Sequence, residues 1–206
     1  MFSNINEFLY WIIYAIPSII IASSIHEYFH AWTAYRLGDP TAKANGRLTL
    51  NPLAHIDPVG AIAMIIFRFG WSKPVPINPW NFEKRRRDTA LTALAGPVSN
   101  FITAGLVAII FAIINNDGLI ANFLFIFATI NLSLGIFNLI PIPPLDGHKI
   151  INGLLPQRLS YYWEKLEKYS WILILILILP FSPLSRYAYV LIVSILNFGL
   201  NILGFL

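Results

Sequence analysis

His26, Glu27 and His30 carry the first chemistry legible in this 206-residue chain. They stand as His-Glu-Tyr-Phe-His near the end of an apolar run that begins at Phe8. On an α-helix, positions four apart share a face, so His26 and His30 present two imidazoles to one point, as two ligands of one metal ion must. Glu27 lies beside that face, where a carboxylate that is not itself a ligand can take the proton of an attacking water. A five-residue pattern alone is weak, because it arises by accident, and a His or Glu near a helix end also serves simply to reach solvent. The setting strengthens it. The chain has only four His and five Glu, and three of these nine fall together in apolar surroundings, where ionisable groups are costly and usually functional.

Composition identifies the elements that must position such a site. Hydrophobic residues make up 57% of the chain and charged residues 12%, with a mean hydropathy of +0.66, which places it among integral membrane proteins. There is no Cys, so disulfides, thiolate metal sites and cysteine nucleophiles are excluded. The net charge of +4 reads as cytoplasmic loops facing anionic headgroups rather than as a nucleic-acid surface. No cleavable signal peptide is evident, since residues 1–7 lack a basic residue and the first apolar run carries the motif itself.

Taken in order, Phe8 to about Leu37 is long enough to span, with Pro17 inside it and Leu37-Gly38-Asp39-Pro40 closing it. Residues 41–57 are polar, and the alternation Arg47-Leu48-Thr49-Leu50 predicts a small strand-and-turn element. The apolar segment 59–69 holds Arg68 in its last turn and reaches only about 16 Å as a helix, so it is expected to be re-entrant or interfacial, partly strand. The prolines of Trp71–Pro79 exclude helix and favour an extended edge. The run Glu83–Asp88 is a topology anchor ahead of a span at about 89–114. Asn115-Asn116-Asp117-Gly118 turns the chain into a span at 119–140, which Pro141–Pro144 break. After an amphipathic stretch at 149–168 come a short apolar segment at 171–184, broken by Pro180 and Pro183, and a last span at 187–206. The expectation is an all-α polytopic membrane protein of about five transmembrane helices, with a small membrane-associated strand or re-entrant region between the first two. If 59–69 does not cross, thirteen of the fourteen basic residues share one side and only Arg186 opposes them. That bias predicts an external N-terminus and a His-Glu pair toward the cytoplasmic side of a cell membrane.

A hydrolytic zinc site needs a third protein ligand and an open position. Asp146 is the remaining intramembrane candidate, set in irregular backbone by Pro143, Pro144 and Gly147. It is either a carboxylate paired with a cation or a solvated turn residue at a membrane exit. The two stretches together, His26-Glu27-x-x-His30 and Asn138-Leu-Ile-Pro141-Ile-Pro143-Pro144-Leu-Asp146-Gly147, resemble the site-2 protease family of intramembrane metalloproteases. The stretches Gly46–Pro52, Gly70–Pro79 and Ala95–Asn100 are similar to its short, single-domain prokaryotic branch, over residues 20–150 in all. The resemblance implies that His26, His30 and Asp146 hold one Zn2+ per chain, that Glu27 is the catalytic acid/base and that Asn138 lies near the reacting carbonyl. For Asn138 a helix-stabilising side-chain bond is the other reading. The resemblance also implies a single domain over 1–206, with a bare catalytic core at about 8–150 and C-terminal helices at about 151–206.

The function expected is hydrolysis of a peptide bond in or near a transmembrane segment of a membrane-protein substrate, with the lipid bilayer as second partner and no nucleic acid. The substrate helix must unwind locally, and the segments 47–50 and 73–78 are expected to receive it as an added strand. The alternative is a metal-ion transporter using the same His and Asp residues. Glu27 separates the two, because transit needs no acid beside the paired His. His55 and His148 are read as surface or supporting residues rather than ligands. Trp11, Trp32, Trp71, Trp163 and Trp171 are read as interfacial anchors, and 172–179 as lipid-facing bulk.

Overall fold

The computed structural model describes residues 5–67, 70–114, 118–178 and 183–205. Arg68, Asn115, Asn116, Asp117 and Pro180, to which the sequence assigns turns and breaks, lie outside them. Three helical stretches are long and apolar enough to cross a membrane: Phe8–Arg36, Arg85–Ile114 and Leu119–Asn138. The first is built from α1 (Ile5–Tyr10), a π-helical turn at Trp11–Ala15 and α2 (Ile16–Arg36). Pro17 has no N–H and its ring crowds the preceding turn, and the wider π turn just before it absorbs that misfit. A helix turn, α3 (Thr41–Ala44), follows after Gly38, whose φ of +105° only glycine takes readily. Then come α4 (Pro58–Phe67), α5 (Arg85–Ile114), α6 (Leu119–Asn138), α7 (Asp146–Leu154), α8 (Gln157–Glu164), α9 (Ser170–Ile178) and α10 (Pro183–Ile202).

Helices α2, α5 and α6 form the core. Small residues set their approach: Ala22, Ala104 and Ala128 are fully buried, and a Cβ on Gly135 would stand 2.8 Å from the Phe101 ring. On the outer side of α5, Ile102, Leu106, Ile109 and Ile113 are exposed at steps of four, three and four. A single apolar stripe left open in this way is a face for lipid.

Two expectations change. Among the described residues no strand forms, and the only trace of sheet at 47–57 is one antiparallel bridge between Ile56 and Ser72. Leu48 and Leu50 find no partner strand, because Arg47 turns inward to donate to the Lys73 carbonyl and Asn51 caps a short 3-10 turn at Pro52–Ala54. The segment after residue 58 is a helix of ten residues, about 15 Å long, with no strand character. Among the described residues the C-terminal part is helical, with nine residues in α9 and an apolar stretch at Tyr189–Ile202 in α10.

Candidate metal centre

His26 and His30 project from one face of α2, and Asp146 opens α7, beyond the break at Pro141–Leu145. The three converge. The two Nε2 atoms lie 2.9 Å apart, and each is 3.1 Å from Asp146 Oδ2. All three side chains are buried, and they form a group able to hold a metal ion.

The hydrogen bonds behind the imidazoles show what the group needs. Asn131 Nδ2 donates to the Phe127 carbonyl, so Asn131 Oδ1 accepts from Asn100 Nδ2, which also donates to the Ala22 carbonyl. Asn100 Oδ1 is therefore left as an acceptor, and it takes His26 Nδ1–H at 2.6 Å. His30 Nδ1–H donates to the Thr92 carbonyl at 2.7 Å. Both protons thus sit on Nδ1, and two bare Nε2 lone pairs face each other and a carboxylate oxygen in a buried space. A cation reconciles three such acceptors. Bonds of about 2.0–2.2 Å around a tetrahedral zinc put ligand atoms roughly 3.3 Å apart, close to the spacing seen. The donor set fits zinc, and the hydrogen bonds to Nδ1 are what hold metal-binding imidazoles in orientation.

Gly96 makes the space. A Cβ there would lie 2.5 Å from His30 Cε1 and Nε2 and 2.6 Å from His26 Cε1. Gly147 does the same for Asp146, since a Cβ would meet the Leu139 carbonyl oxygen at 2.3 Å. Helix α7 is tied to the start of α5, where Arg86 donates to the carbonyls of Asn152 and Leu155 and Gly153 lies against Ala90.

Glu27 is held from another direction. Its Oε1 accepts from Ser72 Oγ at 3.0 Å and its Oε2 from Val75 N–H at 2.9 Å. Those donors belong to the extended strap 70–78, which is stitched down independently. Lys73 N–H donates to the His55 carbonyl, and Val75 packs on Ala31 and Ala42. Farther along, Asp39 accepts from Asn78 N–H and Asn81 Nδ2, each at 2.7 Å, and from Thr41. Burial pushes the Asp39 carboxyl up, but the hydrogen bonds from Thr41, Asn81 and Asn78 outweigh it and leave its pKa below the ordinary value.

A cleft of about 220 Å³ opens beside the cluster, lined by His26, His30, Asp146, Glu27, Asn138, Lys149 and the prolines Pro74 and Pro79 among others. Asn138 is on the wall, and its amide donates to the Leu134 carbonyl at 3.0 Å, the helix-stabilising bond. His55 and His148 are not in the cluster, but they are buried rather than superficial: His55 bonds the Thr49 carbonyl and His148 stacks on Trp163. Trp163 is accordingly a packing residue, while Trp32, Trp71 and Trp171 are exposed as anchors would be.

The family model of Peptidase family M50 matches residues 114–181, which include Asn138 and Asp146. Over 195 residues the chain is 37% identical to the Bacillus subtilis protein named "Putative zinc metalloprotease YwhC", covering 88% of each. The chain belongs to Peptidase family M50, the site-2 proteases. It is a zinc metalloprotease, and zinc is its cofactor. It is also 28% identical over 169 residues to "Putative zinc metalloprotease Rip2" of Mycobacterium tuberculosis, covering 78% of this chain and 64% of Rip2. To "Zinc metalloprotease MJ0392" of Methanocaldococcus jannaschii it is 27% identical over 162 residues, covering 77% of this chain and 39% of that protein. No solved structure matches the chain.

Four residues to which the sequence assigns no role now have evident work, and of these Asn131 alone lies outside the motif stretches. Asn100 and Asn131 are polar side chains inside apolar helices, and that alone is a signal. Gly96 and Ser72 lay inside stretches already noted, without a role. The Thr92 carbonyl and the Val75 N–H are backbone groups, which no side-chain pattern discloses.

Proposed function

We propose that the chain is an intramembrane endopeptidase in which His26, His30 and Asp146 hold zinc and Glu27 is the acid/base. When bound there, zinc supplies Lewis acidity that activates water and polarises a peptide carbonyl. Glu27 takes a proton from the attacking water and returns it to the leaving amine. Ser72 and the Val75 N–H keep its carboxylate facing the cleft. Asn138 stands on the wall where a second donor to the carbonyl oxygen is useful, once its bond to Leu134 is exchanged. The observation that carries this reading is the convergence of two Nε2 lone pairs and one carboxylate oxygen within 3.1 Å of one another, beside a cleft that also admits Glu27.

The substrate is a membrane protein cut in or near a spanning segment, because the cleft sits between helices long and apolar enough to span. The strap 73–78, extended and rich in proline, receives the unwound chain alongside it. The whole of 1–206 acts as one domain with its catalytic core at about 8–150. It crosses a cell membrane several times, with α9 and α10 completing about five spans and the cleft facing the cytoplasm, where most basic residues lie.

The test uses purified protein in detergent. The Glu27→Gln variant is expected to keep about one zinc per chain while cleavage of labelled single-span peptides disappears. If neither protein cleaves and both carry metal across vesicles at equal rates, transport replaces hydrolysis.

A further inference from the structure

The cleft holds one charged side chain that the proposed chemistry does not use. Lys149 lies three residues beyond Asp146 on α7, on the same face of the helix, and lines the cleft. It is exposed, and among the described residues no ion pair or hydrogen bond engages its amine. It makes no ion pair with Asp146 or Glu27, and both Glu27 oxygens are met by Ser72 and Val75. Helix α5 contributes Thr92. Gly153 abuts Ala90 and Asp146 reaches the imidazoles above Gly96, so the part of α7 that bears Lys149 runs beside the part of α5 that bears Thr92 and Ala93, and all three residues line the cleft. Thr92 Oγ1 is buried and has no partner among the described residues. Much of the remaining wall is apolar, and Pro74, Pro79 and Pro144 offer no N–H. A cation and an unused hydroxyl in such surroundings form a subsite for one anionic group.

Resting on the protease reading, we propose that Lys149, with Thr92 beside it, binds an acidic side chain of the substrate close to the scissile bond. The distance follows from helix geometry. Three residues of α7 rise about 4.5 Å, and an extended substrate advances about 3.3 Å per residue. With the reach of the lysine stem added, the carboxylate belongs within roughly three residues of the bond cut. A carboxylate there meets an ammonium in a partly dry cleft, where charge-assisted bonds are strongest.

The test uses fluorescein-labelled single-span Leu/Ala peptides with one Gln walked along the segment, and matching sets with Glu or Lys. With unaltered protein, the best Glu peptide is expected to exceed its Gln counterpart about tenfold in kcat/KM. Lys149→Arg keeps that preference, Lys149→Met levels it, and Lys149→Glu turns it toward Lys peptides. Equal cleavage of Glu and Gln peptides by unaltered protein, or a Glu preference that survives Lys149→Met, overturns the subsite. A second arm measures peptide binding to Glu27→Gln protein, with and without Lys149→Met. A Glu preference in binding that needs Lys149, in a protein whose parent cleaves nothing, rejects the protease reading and retains the subsite. No preference in binding rejects the subsite.

Discussion

The proposed metal ligand His26 and the proposed acid/base Glu27 are one residue apart in sequence, yet they are held by different parts of the molecule. His26 and His30 are fixed from inside the helix bundle, through Asn100, Asn131 and the Thr92 carbonyl. Glu27 is fixed from outside it, by the strap 70–78 that runs over the end of α2. The first support consists of elements whose packing the fold itself requires. The second is a segment without regular structure, kept in place by a few hydrogen bonds to Asp39, His55 and Arg47. Metal binding and catalysis therefore rest on separable supports, and substitutions can divide them.

The largest effect is expected inside the bundle. Gly96→Ala puts a methyl group into both imidazoles, and α5, packed against α2, α6 and α7, resists retreat. Zinc content by elemental analysis should fall to a small fraction of one per chain. Full occupancy would show that the rings have room the structure denies them. Next comes Asn100→Ala, which frees the His26 ring and leaves Asn131 Oδ1 without its donor in a buried place. Zinc affinity by chelator competition should drop about 10–100-fold. Thermal stability should fall by an amount corresponding to about 1–3 kcal/mol.

Outside the bundle the pattern should reverse. Ser72→Ala is expected to leave zinc at one per chain and to lower kcat by roughly tenfold with KM little changed, since a misplaced carboxylate costs rate rather than metal. Loss of zinc in this variant would join the two supports into one. The smallest effect concerns pH. Because the Asp39 pKa is lowered in the folded protein, its contribution to holding residues 78–81 is complete above the ordinary carboxylate value, about 3.9, and is lost as pH falls through the lower folded value. Protection of the Asn78 amide, relative to its intrinsic exchange at each pH, should hold at neutral pH and fall only in that acid window. In Asp39→Asn, which keeps one acceptor oxygen, it should be lower at every pH.

How much of this the sequence discloses depends on the kind of group involved. His26 and His30 are legible from their spacing in an apolar run, whereas Asp146 stays open on its residues alone and enters through the resemblance to the site-2 proteases. The three long helices are legible from hydropathy alone. The strand expected at 47–50 was not formed, because alternation describes a strand only if a neighbour pairs with it, and Arg47 is spent on Lys73 instead. The support of Glu27 was only half legible. The prolines of 74–79 show that the strap is extended, but not that Val75 offers its N–H to a residue 48 positions earlier. Asn138 shows the opposite limit: a side chain in a suggestive motif position is engaged in its own helix.

Arg86 gives the site a mechanical asymmetry. By gripping the carbonyls at the far end of α7, it makes α5 and α7 a single fixed jaw that carries Asp146, the acceptors behind both imidazoles, and Lys149. The opposite side is the strap, which is tied not to that jaw but to Glu27, Asp39, His55 and Arg47 by a handful of bonds. Both donors to Glu27 ride on it, so a displacement of the strap reaches that carboxylate before it reaches either imidazole.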